Sequence, residues 1–289
     1  MKNAYLFEIN DIIANQIKLP YSTGLIWSHC LLNEEIKNNY DLFEEILVEA
    51  LKDKPDWKSI IGCSVPNEDL TTFATPARPR IANIDEMPSP YLDGLFDQLL
   101  EKADHSYALE STIETTRGCP YSCTFCEIGA KYYSKVKRQS FEKVKKEIDW
   151  ISDHKVEFIY NADSNFGMFP EHLDITRYMV DKKKETGYPG KHRCDWAKNK
   201  GDKVIPLAKI FTEADMDKGI TIALQSMNPA VLKAIKRQNI DSGKLEKFLE
   251  MYNEEDLTSY VELILGLPEE TTDSFMEGVC KTIELGQHN

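Results

Sequence analysis

The chain has 289 residues, 42% of them apolar, and a formal net charge of −13. That length buries a substantial core, as one large domain or two small ones, and the apolar fraction excludes a disordered polymer. The acidic balance excludes a broad phosphate-binding face, which would need concentrated Lys and Arg.

Residues 1–65 open with a strand-like run, Ala4 to Ile9. The stretch YDLFEEILVEALKDKPDW follows as an amphipathic helix, with Leu42, Ile46, Leu47 and Leu51 on one face and Pro55 as its stop. A second strand is expected near SIIGCSV. Pro66, Pro76, Pro79, Pro88 and Pro90 then mark residues 66–107 as an extended linker, since proline removes donors and blocks helix.

From 108 to 289 strands and helices alternate. Strands are expected near 110–116, 156–161, 190–195, 219–225 and 259–265. The helix SFEKVKKEIDWISD gathers Phe141, Val144, Ile148 and Ile151 on one side, with Ser140 as N-cap. NPAVLKAIKR opens on Asn228 as cap and Pro229 at the first helical position. SGKLEKFLEMY and DSFMEGVCKTIELG are further helices. Repeated βα units predict an α/β fold with a parallel sheet, open or barrel, and function in the loops at the strands' C-terminal ends.

No apolar run reaches the roughly 20 residues that span a bilayer, and the start, MKNAYLFEIN, lacks a signal-peptide stretch. A cytosolic protein is expected, without a membrane or nucleic-acid partner. Seven cysteines are an odd number, and three crowd into RGCPYSCTFC (117–126) at spacing C-x₃-C-x₂-C, in the loop after the first strand of the alternating region. In a reducing compartment such a cluster points to metal or catalysis rather than a disulfide framework. Three thiolates can hold three irons of a [4Fe–4S] cubane and leave the fourth open. The alternative is a Cys₃His zinc site completed by His105 or His154. Cys30, Cys63, Cys194 and Cys280 are scattered and read as free thiols. The basic run KYYSKVKR (131–138) reads as a solvated face or a cover for an anionic ligand. Trp196, in RCDWAKNK, reads equally as a core, rim or substrate-facing residue.

RGCPYSCTFC resembles the cluster loop of the radical S-adenosylmethionine (radical SAM) enzymes, and the likeness runs from about 110 to 276. The resemblance implies a partial (βα) barrel of that type, with Cys119, Cys123 and Cys126 as ligands of a [4Fe–4S] cluster whose fourth iron takes the amino and carboxylate groups of S-adenosylmethionine. Reductive cleavage would then give a 5′-deoxyadenosyl radical that abstracts hydrogen from a substrate, with radical methyl transfer among the reactions this core supports. Phe125 would pack beside the adenine. NADSNF (161–166) sits where the family grips the methionine amino group, a role that falls to Asp163 and less directly to Asn165, although glycines and glutamate are missing. ALQSMNPAVLKAIKRQN resembles the ribose-contacting segment, with Gln225 and Ser226 at the strand end. VELILGLPEETTDSF resembles the adenine-reading segment, with Gly266 for close backbone approach and Glu262 and Glu269 as polar candidates. A small-molecule or peptide substrate, and an electron donor such as flavodoxin or ferredoxin, are implied as partners.

PSPYLDGLFDQLL before the cluster loop resembles the subgroup with an N-terminal cobalamin-binding domain. Residues 1–65 read as a shortened, incomplete α/β remnant of that domain, and D-x-H-x-x-G is absent, so cobalamin is not expected in this chain. The family barrel commonly continues to a sixth strand beyond the units found here. The rival reading is a non-catalytic Fe–S or zinc-binding interaction module. A radical SAM tRNA-modifying methylthiotransferase would carry an RNA-binding C-terminal domain, which is not seen.

Overall fold

The computed structural model describes residues 12–13, 16–18, 56–59, 64–67, 69, 71–76, 81–101, 108–129, 134–198, 200–217, 219–240 and 242–286. The expected strand Ala4 to Ile9 and the helix before Pro55 lie outside the described residues. Two compact units divide the chain, Met1–Tyr107 and Ala108–Asn289. No described helix is long and apolar enough to cross a membrane.

In the first unit, Ile12–Ile13 pairs antiparallel with Gln16–Lys18, and Ser64–Pro66 with Thr72–Ala74. The stretch from 66 to 107, expected as an extended linker, is more ordered than that. Asn83 caps a short 3-10 turn, Ile84–Glu86, by accepting from the Asp85 N–H, and Leu95–Leu100 is helical. Tyr91 and Phe96 are fully buried and meet edge to face, 5.1 Å between centroids. Prolines rule out long elements but leave room for short ones, and an aromatic pair supplies the apolar area that holds them.

The second unit carries the alternating βα pattern. Its elements are β1 (Ala108–Ile113), α1 (Phe141–Asp153), β2 (Phe158–Phe166), α2 (Glu171–Thr186), β3 (Lys191–Trp196), α3 (Gly201–Glu213), β4 (Ile220–Gln225), α4 (Pro229–Ala234), α5 (Ser242–Glu254), β5 (Ser259–Leu263) and α6 (Thr272–Glu284). β1, β2 and β3 pair parallel, with Glu110 opposite Phe158 and Phe158 opposite Lys191. β4 and β5 form a second parallel pair starting at Ile220 opposite Ser259. Between the pairs, the His192 N–H donates to the Met216 carbonyl at 2.8 Å and Trp196 Nε1–H to the Gly219 carbonyl at 3.3 Å. Trp196 is therefore core, where the sequence had left it undecided. The described strands do not close on themselves, so this is a partial barrel.

The helix ends follow the sequence. Ser140 accepts from the Lys143 N–H, and Asn228 from the Ala230 N–H, each leaving fewer orphan amide donors. Val144, Ile148 and Ile151 of α1 are buried, while Phe141 sits at the rim against Tyr178. Every βα connection of this kind sends the strand's C-terminal end toward one pole of the unit. The cysteine loop starts from that pole, at the end of β1.

Candidate active site

A two-residue antiparallel bridge closes the base of the cysteine loop, Thr116 opposite Arg138 and Arg117 opposite Lys137. Within it, Gly118 takes φ +109, a conformation that favours glycine. The Cys126 N–H donates to the Cys123 carbonyl at 3.3 Å, and the Gly129 N–H to the Cys126 carbonyl at 3.0 Å. Gly129 lies so close to Cys123 that a Cβ there would stand 2.3 Å from the Cys123 carbonyl oxygen. The Thr124 N–H donates to the Ile235 carbonyl at 3.0 Å, which ties the loop to the end of α4. Cys119 and Cys123 are buried, Cys126 is half-buried, and all three are free thiols.

Two buried donors reach these sulfurs. Asn165, 4% exposed near the end of β2, gives its Nδ2–H to Cys119 Sγ at 3.3 Å. Arg237, 6% exposed, places Nη1 3.9 Å from Cys123 Sγ, while its Nη2 holds the Ala223 carbonyl and its Nε the Asn239 side chain. Neither residue was assigned that task from sequence. Arg237 was not singled out, and only the fold shows its guanidinium turned inward, onto the Ala223 carbonyl and toward Cys123.

β2 explains why polar residues occupy an inward face. Asn161, Asp163 and Asn165 alternate along one side of the strand and are buried, which costs free energy unless partners are found. Asp163 finds them: Thr115 N–H at 2.7 Å, Thr116 N–H at 2.8 Å and the Thr115 hydroxyl. Burial pushes its carboxyl up to about 6, and those hydrogen bonds oppose the rise. His172 Nδ1 accepts from the Gly167 N–H, and its Nε2 lies 3.7 Å from Asp163 Oδ2. Burial takes His172 down to about 4. Asp163 thus braces the entry to the cysteine loop, and its oxygens are already engaged. Asn165 Oδ1 differs: it is buried and without a hydrogen-bond partner. An acceptor so placed, beside the Cys119 thiol, suits an ammonium group.

The other expected residues fall in three places. Phe125 is partly buried against Val231, Ile235 and Leu267, so the cysteine loop, α4 and the turn after β5 share one apolar patch. Gln225 breaks the β4–β5 register with φ +70, and its carbonyl accepts from the Ile264 N–H at 2.8 Å. Ser226 Oγ accepts from the Asn228 N–H at 3.1 Å, and Asn239 Nδ2 donates to the Leu224 and Ser226 carbonyls, each at 2.8 Å. Gly266 has φ +87 with open space where a Cβ would point. Glu262 and Glu269 are exposed, and no described contact brings either to the thiols. His105 lies outside the described residues. His154 caps the C-terminal end of α1, bonded to the Trp150 carbonyl at 2.7 Å and stacked on its ring. That end faces the N-terminal pole of the sheet, opposite the cysteines, so His154 cannot complete a zinc site with them. No three His, Cys, Asp or Glu side chains among the described residues converge on one ion.

The family model of the Radical SAM superfamily matches residues 113–278. The chain belongs to the radical SAM superfamily. It is 39% identical over 252 residues to the 2-(S-pantetheinyl)-carbapenam-3-carboxylate methyltransferase of Streptantibioticus cattleyicolor, and 37% identical over 250 residues to the cobalamin-dependent radical SAM methyltransferase TokK of Streptomyces tokunonensis. Each likeness covers 85% of this chain and 36% of the relative, so the chain spans about a third of those proteins. Among solved structures, the radical S-adenosylmethionine methyltransferase TsrM from Kitasatospora setae shares the fold with a TM-score of 0.55 at 16% identity, over 84% of this chain and 47% of that one. The cobalamin-dependent radical enzyme OxsB does so at 0.53 and 21%, over 82% and 34%.

Proposed function

We propose that this chain is the S-adenosylmethionine-activating core of a radical SAM methyltransferase. The observation that carries the reading is the three-thiol loop at the C-terminal end of β1, with a buried amide and a buried guanidinium directed at two of its sulfurs. The methyltransferase names of the 37–39% identical relatives support the reaction class.

A [4Fe–4S] cluster on Cys119, Cys123 and Cys126 would supply an open iron and one electron for cleaving S-adenosylmethionine to methionine and a 5′-deoxyadenosyl radical. The residues around it divide the remaining work. Asn165 holds Cys119 with its amide N–H and offers its free Oδ1 to the methionine ammonium, whereas the Asp163 oxygens already accept from Thr115 and Thr116. Gln225 and Ser226 would face the ribose from the end of β4, and Gly266 would admit the adenine close to its backbone. Phe125 would border that adenine from the apolar patch it shares with Leu267. Glu262 and Glu269 remain outlying candidates for polar contacts. A cytosolic setting belongs to the proposal, because the thiols must be reduced to ligate iron.

The expectation that cobalamin is absent rests on residues 1–65, most of which lie outside the described residues. The cobalamin-dependent name of TokK weighs against it. Anaerobic incubation with hydroxocobalamin, desalting and corrin absorbance decide the point: near-stoichiometric retention overturns that expectation. The core proposal is tested separately, by 5′-deoxyadenosine formation from S-adenosylmethionine with a strong reductant. Steady release by the reconstituted chain, abolished in Cys123→Ala, supports it, and no release above the reductant blank sinks it.

A further inference from the structure

We infer that His172 is a positioning residue: its neutral imidazole keeps Asp163 ionised, and the carboxylate in turn braces the root of the cysteine loop. The arrangement belongs to the chain before any cluster is bound. Only its consequence for a cluster rests on the proposed function.

Asp163 divides its oxygens. Oδ1 accepts from the Thr115 N–H at 2.7 Å and the Thr116 N–H at 2.8 Å, and Oδ2 accepts from the Thr115 hydroxyl. Thr116 is also half of the two-residue bridge that closes the loop, opposite Arg138. Hydrogen bonds to a charged acceptor are roughly twice as strong as those to a neutral one, so the root is held firmly only while Asp163 is ionised. The site gives that charge little support. The side chain is fully buried, no Lys or Arg among the described residues pairs with it, and burial pushes its carboxyl up to about 6 even with these bonds in place.

His172 supplies what is missing. From the first turn of α2 its Nε2 stands 3.7 Å from Asp163 Oδ2, just beyond hydrogen-bond reach. The other nitrogen fixes the tautomer: Nδ1 accepts from the Gly167 N–H, so in the neutral ring the hydrogen sits on Nε2, the side of Asp163. That Nε2 is buried without a hydrogen-bond partner, and the carboxylate beside it compensates for its burial. An N–H dipole so placed favours the anion. The fold holds the ring in place and uncharged. It stacks on Phe166, 4.5 Å between centroids, with Phe169 edge-on at 5.8 Å. Burial takes it down to about 4, and the positive end of α2 also disfavours a cation there. Glu171 and Arg138 act on the ring in opposite senses and pair with each other. The groups nearest Asp163 on its other sides are uncharged. On β3, the buried Cys194 thiol is pushed well up and stays neutral. On β2, Asn161 Oδ1 accepts from the Asp163 N–H at 2.9 Å. Beyond the threonines, the imidazole is what holds the Asp163 charge.

The test is NMR on the full chain without iron, labelled with nitrogen-15 threonine and histidine. In wild type at pH 7 the His172 ring should be neutral and protonated at Nε2. The Thr115 and Thr116 amide shifts follow the titration of Asp163. In His172→Phe, which keeps a stacked ring but no N–H, their midpoint should move up by roughly one pH unit. His172→Gln restores a side-chain N–H and should bring the midpoint part of the way back. His192→Phe removes another buried imidazole, stacked on Phe211 instead, and should leave the midpoint in place. Because the brace is lost as pH falls through the midpoint, exchange of the two amides at pH 7 should quicken in His172→Phe relative to wild type. Should the variants fail to fold, the wild-type ring still decides: protonation at Nδ1, or a cationic ring at pH 7, overturns the inference. An unmoved midpoint in His172→Phe, or an equal move in His192→Phe, overturns it too. None of these readouts needs iron, so failure of the proposed function shows separately, as a chain that loads no cluster.

Discussion

Gly129→Ala tests how tightly the cysteine loop is closed. The added Cβ would stand 2.3 Å from the Cys123 carbonyl oxygen, 3.1 Å from its nitrogen and 3.2 Å from its carbonyl carbon. Ordinary contact begins near 3.4 Å, so the approach to oxygen falls about 1 Å short, and the obstacle is backbone rather than a side chain that can turn away. Gly129 is not among the residues with positive φ, so alanine meets no dihedral objection and the substitution isolates the contact. Overpacking of this kind costs about 2 kcal/mol, which lowers the thermal midpoint of a domain this size by roughly 4–8 °C. Relieving it means moving Cys123, so bound iron should fall as well. Gly278→Ala is the control. Its Cβ would meet Met227 Cβ at 3.5 Å, an ordinary contact, and alanine favours the helix by about 0.5–1 kcal/mol. Differential scanning fluorimetry of the apo protein and iron analysis after reconstitution give both readouts. If Gly129→Ala melts and loads iron like wild type, the loop is not closed on Cys123 as described.

Asn165→Leu removes the N–H donor from Cys119, and hydrogen bonds to cluster sulfurs favour the reduced state. A bond worth about 1 kcal/mol corresponds to a drop of roughly 40 mV for one electron, measured by EPR-monitored redox titration; an unchanged potential removes Asn165 from the account. Gly266→Val should weaken S-adenosylmethionine binding, since a branched side chain enters the open space at a backbone of φ +87; equilibrium dialysis showing wild-type affinity discards the placement of the adenine. His192 is buried, stacked on Phe211 and taken down to about 3 by burial, so it folds neutral and must charge on unfolding below its ordinary value of 6.5. The unfolded chain then binds the extra proton, and stability falls as pH drops from about 6.5, by up to about 1.4 kcal/mol per unit. His192→Phe should remove the His192 share of that slope and leave the like share of His172, which burial takes down to about 4; the readout is the shift of the urea midpoint between pH 7 and pH 5, and an unaltered slope contradicts the assignment.

The strands and the cap residues were legible because they obey local rules. Ser140 and Asn228 cap as their side chains dictate, and β1, β3, β4 and β5 fall within a few residues of their expected positions, while β2 runs on to Phe166, past its expected end near 161 and through NADSNF. α2 and α3 were not singled out. α2 begins at Pro170 without a side-chain cap and ends in a polar run, and α3 starts at a glycine and carries Pro206 inside. Tertiary packing, as in the burial of Met179 and Phe211, holds them where local preference does not. At the site, C-x₃-C-x₂-C announced the three thiols, because ligand spacing is itself sequence. The partners of those thiols were hidden. Arg237 lies 114 residues from Cys123 and Asn165 46 from Cys119, so only the barrel brings them together. Asp163 shows the converse: it was picked out for the right strand end, but whether its oxygens are free depends on Thr115 and Thr116 across the sheet.

The central claim is that Cys119, Cys123 and Cys126 hold a cubane with one open iron. Iron, acid-labile sulfide and zinc in the anaerobically reconstituted chain measure it most directly. The account predicts about four irons and four sulfides per chain, no stoichiometric zinc, and loss of the cluster when any one of the three cysteines becomes alanine. One zinc per chain with negligible sulfide would contradict it.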